Sequence, residues 1–236
     1  MSAKARIVPA GPAAVAEAVK VLQDGGLVIA PSATHYGVFC DPENAEAVAR
    51  VFEAKRRTKF GPLTLAIPDP AEIGKYVKVP DFVDDAVLGR LLPGLITPIF
   101  FKDHPFPEQM TMGAPTIGIM CHGRRPQYDI TQVFGPIALT SANLSGAGGA
   151  LVTREQALED LGSSVDLFVD GGPVTWDDAA GQDQGNTVAD FTFDVPYLVR
   201  AGRFPTEDLV EIFPNLVTDP AEYKKALTGR MGQVRT

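Results

Sequence analysis

Cysteine, histidine and tryptophan are scarce in this 236-residue chain, which holds two, three and one of them. Two distant cysteines, Cys40 and Cys121, cannot build a disulfide framework; they are expected as reduced thiols, one or both buried, in a cytosolic protein. His35, His104 and His122 stand apart from one another, and no spacing of His, Cys, Asp or Glu has the form of a structural zinc site. Long apolar runs are also missing: no stretch approaches the ~20 residues a membrane span requires. Met1 to Val8 is basic but has no apolar core behind it, so neither a membrane segment nor a secretory leader is expected. A positive charge balance is absent as well. The formal net charge of -8 makes the surface as a whole repel phosphate backbones, which excludes holding nucleic acid by bulk electrostatics.

What is present is an ordinary globular composition, 45% hydrophobic and 21% charged, in a chain long enough for one substantial core. There is no internal repeat and no low-complexity linker. Val15, Val19 and Leu22 recur at helical spacing before Gly25-Gly26, and Leu27 to Ala30 reads as a buried strand stopping at Pro31. A second helix is expected with Asp41 as N-cap, Pro42 in its first turn and Val48, Val51 and Phe52 as its apolar stripe. Leu63 to Ile67 is the next strand, and Asp69-Pro70-Ala71-Glu72 has the capping-box form. Val83, Val87 and Leu91 make a helix closed by Pro93-Gly94. Further strands are expected at Ile96 to Phe101, Thr116 to Cys121, Ile137 to Leu139, Val165 to Val169, Thr187 to Phe191 and Tyr197 to Val199. Thr153 with Gln156 opens another helix, and Asp219 to Gly232 forms one more on the outside. Alternating strands and helices indicate an α/β or mixed α+β domain around a large twisted sheet.

Four polar segments interrupt this apolar pattern. Lys55, Arg56, Arg57 and Lys59 place four cations within five residues, and Lys55 follows Val51 and Phe52 on or beside the inward face of its helix. Such a cluster can aim at a ligand at a strand end, or merely complement the negative end of the helix at ~0.3–1 kcal/mol each. Thr140-Ser141-Ala142-Asn143-Leu144-Ser145-Gly146 directly follows a strand; its hydroxyls, amides and backbone N–H groups suit phosphate oxygens, though the same residue types also make ordinary turns. Pro31 to Gly37 reads as a polar loop in which His35 lacks a nearby carboxylate and is expected as a surface or hydrogen-bonded structural histidine. Gly185 to Asp190 and Leu198 to Gly202 pair a polar loop with an arginine, Arg200, that needs a partner if buried: a phosphate or a surface carboxylate.

The order of these pieces resembles the YrdC/YciO-like threonylcarbamoyl-AMP synthase family. Its Pro-Thr-Glu-Thr-x-Tyr-Gly loop is similar to Pro31 to Gly37, and its Lys-x-Arg-Pro element leading to Pro-Leu is similar to Lys55 to Leu63. The Pro-Gly-x-x-Thr turn corresponds to Pro93 to Thr97, the Ser-x-Asn loop to Ser141 to Asn143, the Ser-Thr-Val-Val-Asp strand to Asn186 to Asp190, and the Leu-Arg-x-Gly end to Leu198 to Gly202. The resemblance spans roughly residues 10 to 205, most of the chain.

It implies a YrdC-like twisted mixed β-sheet flanked by helices with a concave cationic cleft, over residues 1–214, and a C-terminal extension over 215–236 forming one short helix. It also implies an enzyme that joins threonine, bicarbonate and ATP, with Mg²⁺ assisting, into threonylcarbamoyl-adenylate and pyrophosphate. Partner proteins would then modify tRNA, with weak or no direct tRNA binding by this chain. Carried over, the nucleotide contacts fall on Lys55, Arg57, Thr116, Asn143 and Arg200, with Lys55 and Arg57 catalytic; the amino-acid contacts fall on Thr34, Ser141 and Asn186. The chain departs from the pattern on the amino-acid side. Ala66 replaces a histidine, Met120 an arginine, Asn186 a serine and Ala33 a glutamate. Losing a charged partner costs a carboxylate about 10²-fold in affinity, so threonine recognition is expected to be weakened or altered unless Arg124 or Arg125 substitutes. Two alternatives stay open: a paralogue forming a different acyl- or carbamoyl-adenylate, and a nucleotide- or RNA-binding module without turnover.

Overall fold

The computed structural model describes residues 5–55, 61–144, 151–173 and 185–233, the side chains of 231–233 excepted. The chain opens with strand β1 (Arg6–Pro9) and helix α1 (Pro12–Gln23). Pro12 starts α1 with a backbone already set for a helix, and Ala14, Val15, Ala18, Val19 and Leu22 form its buried stripe. Gly25, at φ 74°, turns the chain out of it. β2 (Val28–Pro31) and β3 (Tyr36–Cys40) then form an antiparallel pair, so Tyr36 and Gly37 begin a strand rather than end a loop. β3 is buried at every position, so no alternation betrays it in the sequence.

Helix α2 (Ala45–Ala54) starts later than Asp41-Pro42 would have it. Asn44 is its cap, accepting from the backbone N–H groups of Glu46 and Ala47 at 3.0 Å, while Asp41 closes a local turn on the Glu43 N–H at 2.9 Å. After β4 (Thr64–Ala66), Asp69 caps a short 3₁₀ turn, Pro70–Lys75, that leads to β5 (Val77–Lys78) and α3 (Asp85–Leu91). β6 (Ile96–Lys102), α4 (Glu108–Thr111), β7 (Thr116–Met120), α5 (Gln127–Phe134) and β8 (Ile137–Ser141) follow. Thr153 caps α6 (Arg154–Leu161) through the Gln156 N–H at 3.2 Å. β9 (Leu167–Asp170), β10 (Thr187–Asp190), β11 (Tyr197–Arg200), α7 (Thr206–Ile212) and α8 (Pro220–Gln233) complete the described elements.

The strands form one mixed sheet in the order β1-β9-β2-β3-β8-β4-β7-β6-β10-β11, with β5 beside β6. Alternation along the strands divides two apolar clusters. Leu65, Ile117, Ile119 and Phe100 join the stripe of α2 on one face, whereas Ala66, Met120 and Leu139 share the other with residues of α1 and α5. Cys40 and Cys121 are free and buried. The tail helix α8 is fastened to β10: the Tyr223 hydroxyl donates to the buried Asp190 carboxylate at 2.9 Å, and Arg230 lies 3.8 Å from the same group. Among the described residues no helix is long and apolar enough to cross a membrane.

Candidate functional site

The face carrying Ala66, Met120 and Leu139 opens into a cavity of about 400 Å³ over the strands from β8 to β11. Strand parity chooses its lining. Thr64 lies two residues before Ala66, Gly118 two before Met120, and Ser141 two after Leu139. Thr97 and Ile99 come from β6, Asn186 and Val188 from the start of β10, and Arg200 from the end of β11. Gly118 must lack a side chain there, because a Cβ would stand 2.9 Å from the Thr97 methyl on the adjacent strand.

Arg200 donates to the backbone carbonyl of Asn186 at 2.8 Å, and partial burial lowers its pKa. Thr34 converges on the same corner: a Cβ built on Gly185 would lie 3.4 Å from the Arg200 guanidinium and 4.0 Å from the Thr34 hydroxyl. Thr34 is buried and shares a 2.8 Å hydrogen bond with Nδ1 of His35, which itself lines the cavity. Burial first, then the charges of Arg200 and Lys55, push the His35 pKa down to about 4, so the ring is neutral at pH 7.

Beside the cavity, buried Lys55 ends α2 and reaches the loop after β8. Its ammonium donates to the Ser141 carbonyl, to the Asn143 carbonyl at 2.6 Å and to Asn143 Oδ1 at 3.3 Å. The Ser141 hydroxyl donates to that same Oδ1 at 2.7 Å. At the start of β10, Asn186 is 3% exposed; its Nδ2 donates to the Thr97 hydroxyl at 3.3 Å, while its Oδ1 is buried with no hydrogen-bond partner.

Of the residues singled out in the sequence, Ser141, Asn186 and Arg200 line the cavity, Thr34 adjoins it, and Lys55 and Asn143 form the loop clamp beside it. Thr116 lies on the strand positions that share a face with Gly118 but outside the lining, and Arg57 falls outside the described residues. Arg124 and Arg125 do not reach this cavity. With Ala33 they border a larger hollow of about 750 Å³ between α1, the Pro31 loop and α5, where Arg125 pairs with Asp129 at 3.3 Å. In the sequence Thr97 stood out only as the end of the Pro-Gly-x-x-Thr turn, and Thr64 and Gly118 went unnoticed. The available signal was a polar or small residue repeatedly placed at the cavity-facing parity of β4, β6 and β7. His35 is hydrogen-bonded, as expected, but belongs to the cavity rather than to the outer surface. Among the described residues no group of three His, Cys, Asp or Glu side chains gathers to share a metal ion.

A mixed twisted sheet thus carries a cavity lined by both polar and apolar residues, with one arginine in its lining and a lysine-held loop beside it, in an α/β domain. The family model Sua5_yciO_yrdC, described as "Telomere recombination", matches residues 20–202, and the chain belongs to that family. Threonylcarbamoyl-AMP synthase of Bos taurus is 32% identical over 180 residues, covering 76% of this chain and 64% of the relative. The structure of Pyrococcus abyssi Sua5 complexed with L-threonine superposes with a TM-score of 0.80 at 25% identity, over 92% of this chain and 64% of that one. The chain thus spans just under two thirds of the length of these two relatives. Escherichia coli YciO shares the fold, with a TM-score of 0.73 at 22% identity over 89% of this chain and 99% of that one.

Proposed function

We propose that this chain is a threonylcarbamoyl-AMP synthase-like nucleotidyltransferase, acting in the cytoplasm in support of tRNA threonylcarbamoyladenosine formation. The observation that carries this reading is the convergence of Arg200, Asn186 and Ser141 around one cavity, with Thr34 beside it, in a member of a family whose named relatives include threonylcarbamoyl-AMP synthases. Residues 1–214 would form the catalytic domain and 215–236 an extension tied on through Tyr223 and Asp190.

In this scheme the threonine amine adds to carbon dioxide derived from bicarbonate and loses a proton, giving a carbamate. A carbamate oxygen then attacks the α-phosphorus of ATP; its bond to the β-phosphate bridging oxygen breaks, and pyrophosphate leaves with the electron pair. The protein contributes positioning and charge neutralisation rather than covalent chemistry. Arg200 would meet phosphate oxygens, with Arg57, Thr116 and the Lys55–Asn143 clamp on the nucleotide side. Thr34, Ser141 and Asn186 would bind the amino acid. The described lining offers hydroxyls but no carboxylate to a divalent ion, so Mg²⁺ would be carried mainly by the nucleotide's own phosphates, where it would neutralise their charge. Direct tRNA binding would be weak, in keeping with the net charge of -8, and partner proteins would perform the transfer.

A second reading has its own observation. Met120 and Asn186 put no charge of their own into the described lining, where Arg200 is the one cation and already donates to the Asn186 carbonyl, and Ala66 is buried in the apolar layer beside them. That favours a less charged or bulkier apolar amine over a free α-carboxylate. Pyrophosphate release from ATP, measured with threonine plus bicarbonate and then with a panel of other amines, separates the two. Release with no amine at all would remove both.

A further inference from the structure

The Lys55 ammonium is buried, and burying a cation is costly unless polar groups surround it. Here oxygens do: the carbonyls of Ser141 and Asn143 and the Asn143 side-chain oxygen all accept from Nζ. An ammonium has three N–H donors and no acceptor, so the atom of Asn143 facing it must be the oxygen. The Ser141 hydroxyl donates to the same atom at 2.7 Å, a second anchor on that side of the amide. The Asn143 Nδ2, with its two N–H donors, is therefore held on the side away from Lys55. Asn143 is only partly buried, and Ser141, which shares its clamp, lines the cavity.

We infer that Lys55 is a positioning residue that acts on the nucleotide through Asn143: its ammonium fixes the loop and aims the Asn143 amide N–H groups at phosphate oxygens, without itself touching them. This rests on the proposed nucleotide site and alters the division of labour within it. Asn143 becomes the contact, Lys55 the group that orients it. The Lys55 charge still contributes to the field felt at His35 on the cavity wall, but as background rather than as a hydrogen bond to ligand. A lysine replaced by arginine would not reproduce the arrangement, because a planar fork cannot present donors to carbonyls clustered around one nitrogen.

A double-mutant cycle tests this on affinity for an α,β-methylene ATP analogue, whose α–β linkage the proposed reaction cannot break, read by calorimetry. Lys55→Met and Asn143→Ala are each expected to weaken binding about 10- to 100-fold, the scale of a charge-assisted hydrogen bond. Because both remove one and the same contact, the double variant should be no weaker than the worse single variant. Losses that multiply would show that Lys55 meets the phosphates itself and overturn the inference. Nitrogen-15 spectra of the unaltered chain provide a test that does not depend on Lys55→Met folding. Adding the analogue should shift the Asn143 side-chain amide signals and leave the Lys55 ammonium signal in place; the reverse pattern contradicts the assignment. If the analogue binds but no amine elicits pyrophosphate, the enzymatic reading fails and the cycle still decides the role of Lys55. Absence of any analogue binding would overturn both.

Discussion

Arg200 at the end of β11 donates from its guanidinium to the backbone carbonyl of Asn186 at 2.8 Å, binding the last strand of the sheet to the loop that forms the cavity mouth. One nitrogen of the fork serves this structural bond while the same side chain lines the cavity. Arg200→Ala is expected to weaken ATP binding by ~1.5–3 kcal/mol, roughly 10- to 100-fold. Arg57→Ala, on the family resemblance, should do the same. Calorimetry finding the unaltered affinity in both variants would remove the nucleotide-site assignment.

Gly202, two residues beyond Arg200, is packed against the same loop. A Cβ there would meet the Gly185 carbonyl oxygen at 2.4 Å and the Thr187 nitrogen at 2.5 Å. Those are backbone atoms of the cavity mouth and cannot swing aside as a flexible side chain would. Gly202→Ala is therefore expected to cost about 1–3 kcal/mol of stability and to lower nucleotide affinity as well. Gly123→Ala, where a Cβ finds nothing within 4 Å, should stay within about 0.5 kcal/mol. Urea unfolding compares them, and equal midpoints would contradict the packing argument.

The pH dependence has a definite sign. His122 is 6% exposed and accepts the Arg124 N–H through Nδ1 at 3.1 Å; burial, followed in the same direction by the charge of Arg124, holds its pKa down at about 4. In the unfolded chain a histidine titrates near 6.5. The unfolded state thus binds more protons between these values, so the stabilisation is complete above pH 6.5 and disappears as pH falls to about 4. From pH 7 to 4.5 this histidine should account for roughly 2–3 kcal/mol of lost stability. His35, half-buried, shifts in the same direction. His122→Phe should flatten the decline relative to the unaltered chain; identical slopes would show that His122 is not buried neutral.

The proposed amino-acid end gives a substitution with a gain as its expected outcome. Ala66→His, Met120→Arg and Asn186→Ser together restore the charged and donating groups typical of the family. The Asn186 Oδ1 is a buried acceptor without a partner and would suit an α-carboxylate poorly. The triple variant should lower the KM for threonine by 10-fold or more. No change would mean that other groups already hold the carboxylate.

Much of this architecture was legible in the sequence, for reasons visible in particular residues. The stripe Val48, Val51 and Phe52 has helical period, and all three are buried in α2. Thr153 capped α6 as its spacing from Gln156 indicated. β3 escaped because Tyr36 and Gly37 read with the polar loop before them and the buried remainder shows no alternation, and α2 is capped by Asn44 because Asp41 is consumed by a local turn. The site was legible as motifs but not as geometry. Sequence order could single out Lys55, Ser141 and Asn143, yet only long-range pairing of α2 with the end of β8 shows what the ammonium holds. Likewise Arg124 and Arg125 are near Met120 in sequence but face another hollow, because the chain turns between the end of β7 and α5.

The most direct measurement is pyrophosphate release by the unaltered chain with ATP, Mg²⁺, bicarbonate and threonine, with the nucleotide product identified by mass. Release is expected to depend on both bicarbonate and threonine and to yield a threonylcarbamoyl-adenylate product. ATP binding with no release under those conditions, rescued by another amine, would show that the amino-acid end serves a different substrate. ATP binding with no release for any amine would contradict the enzymatic claim outright.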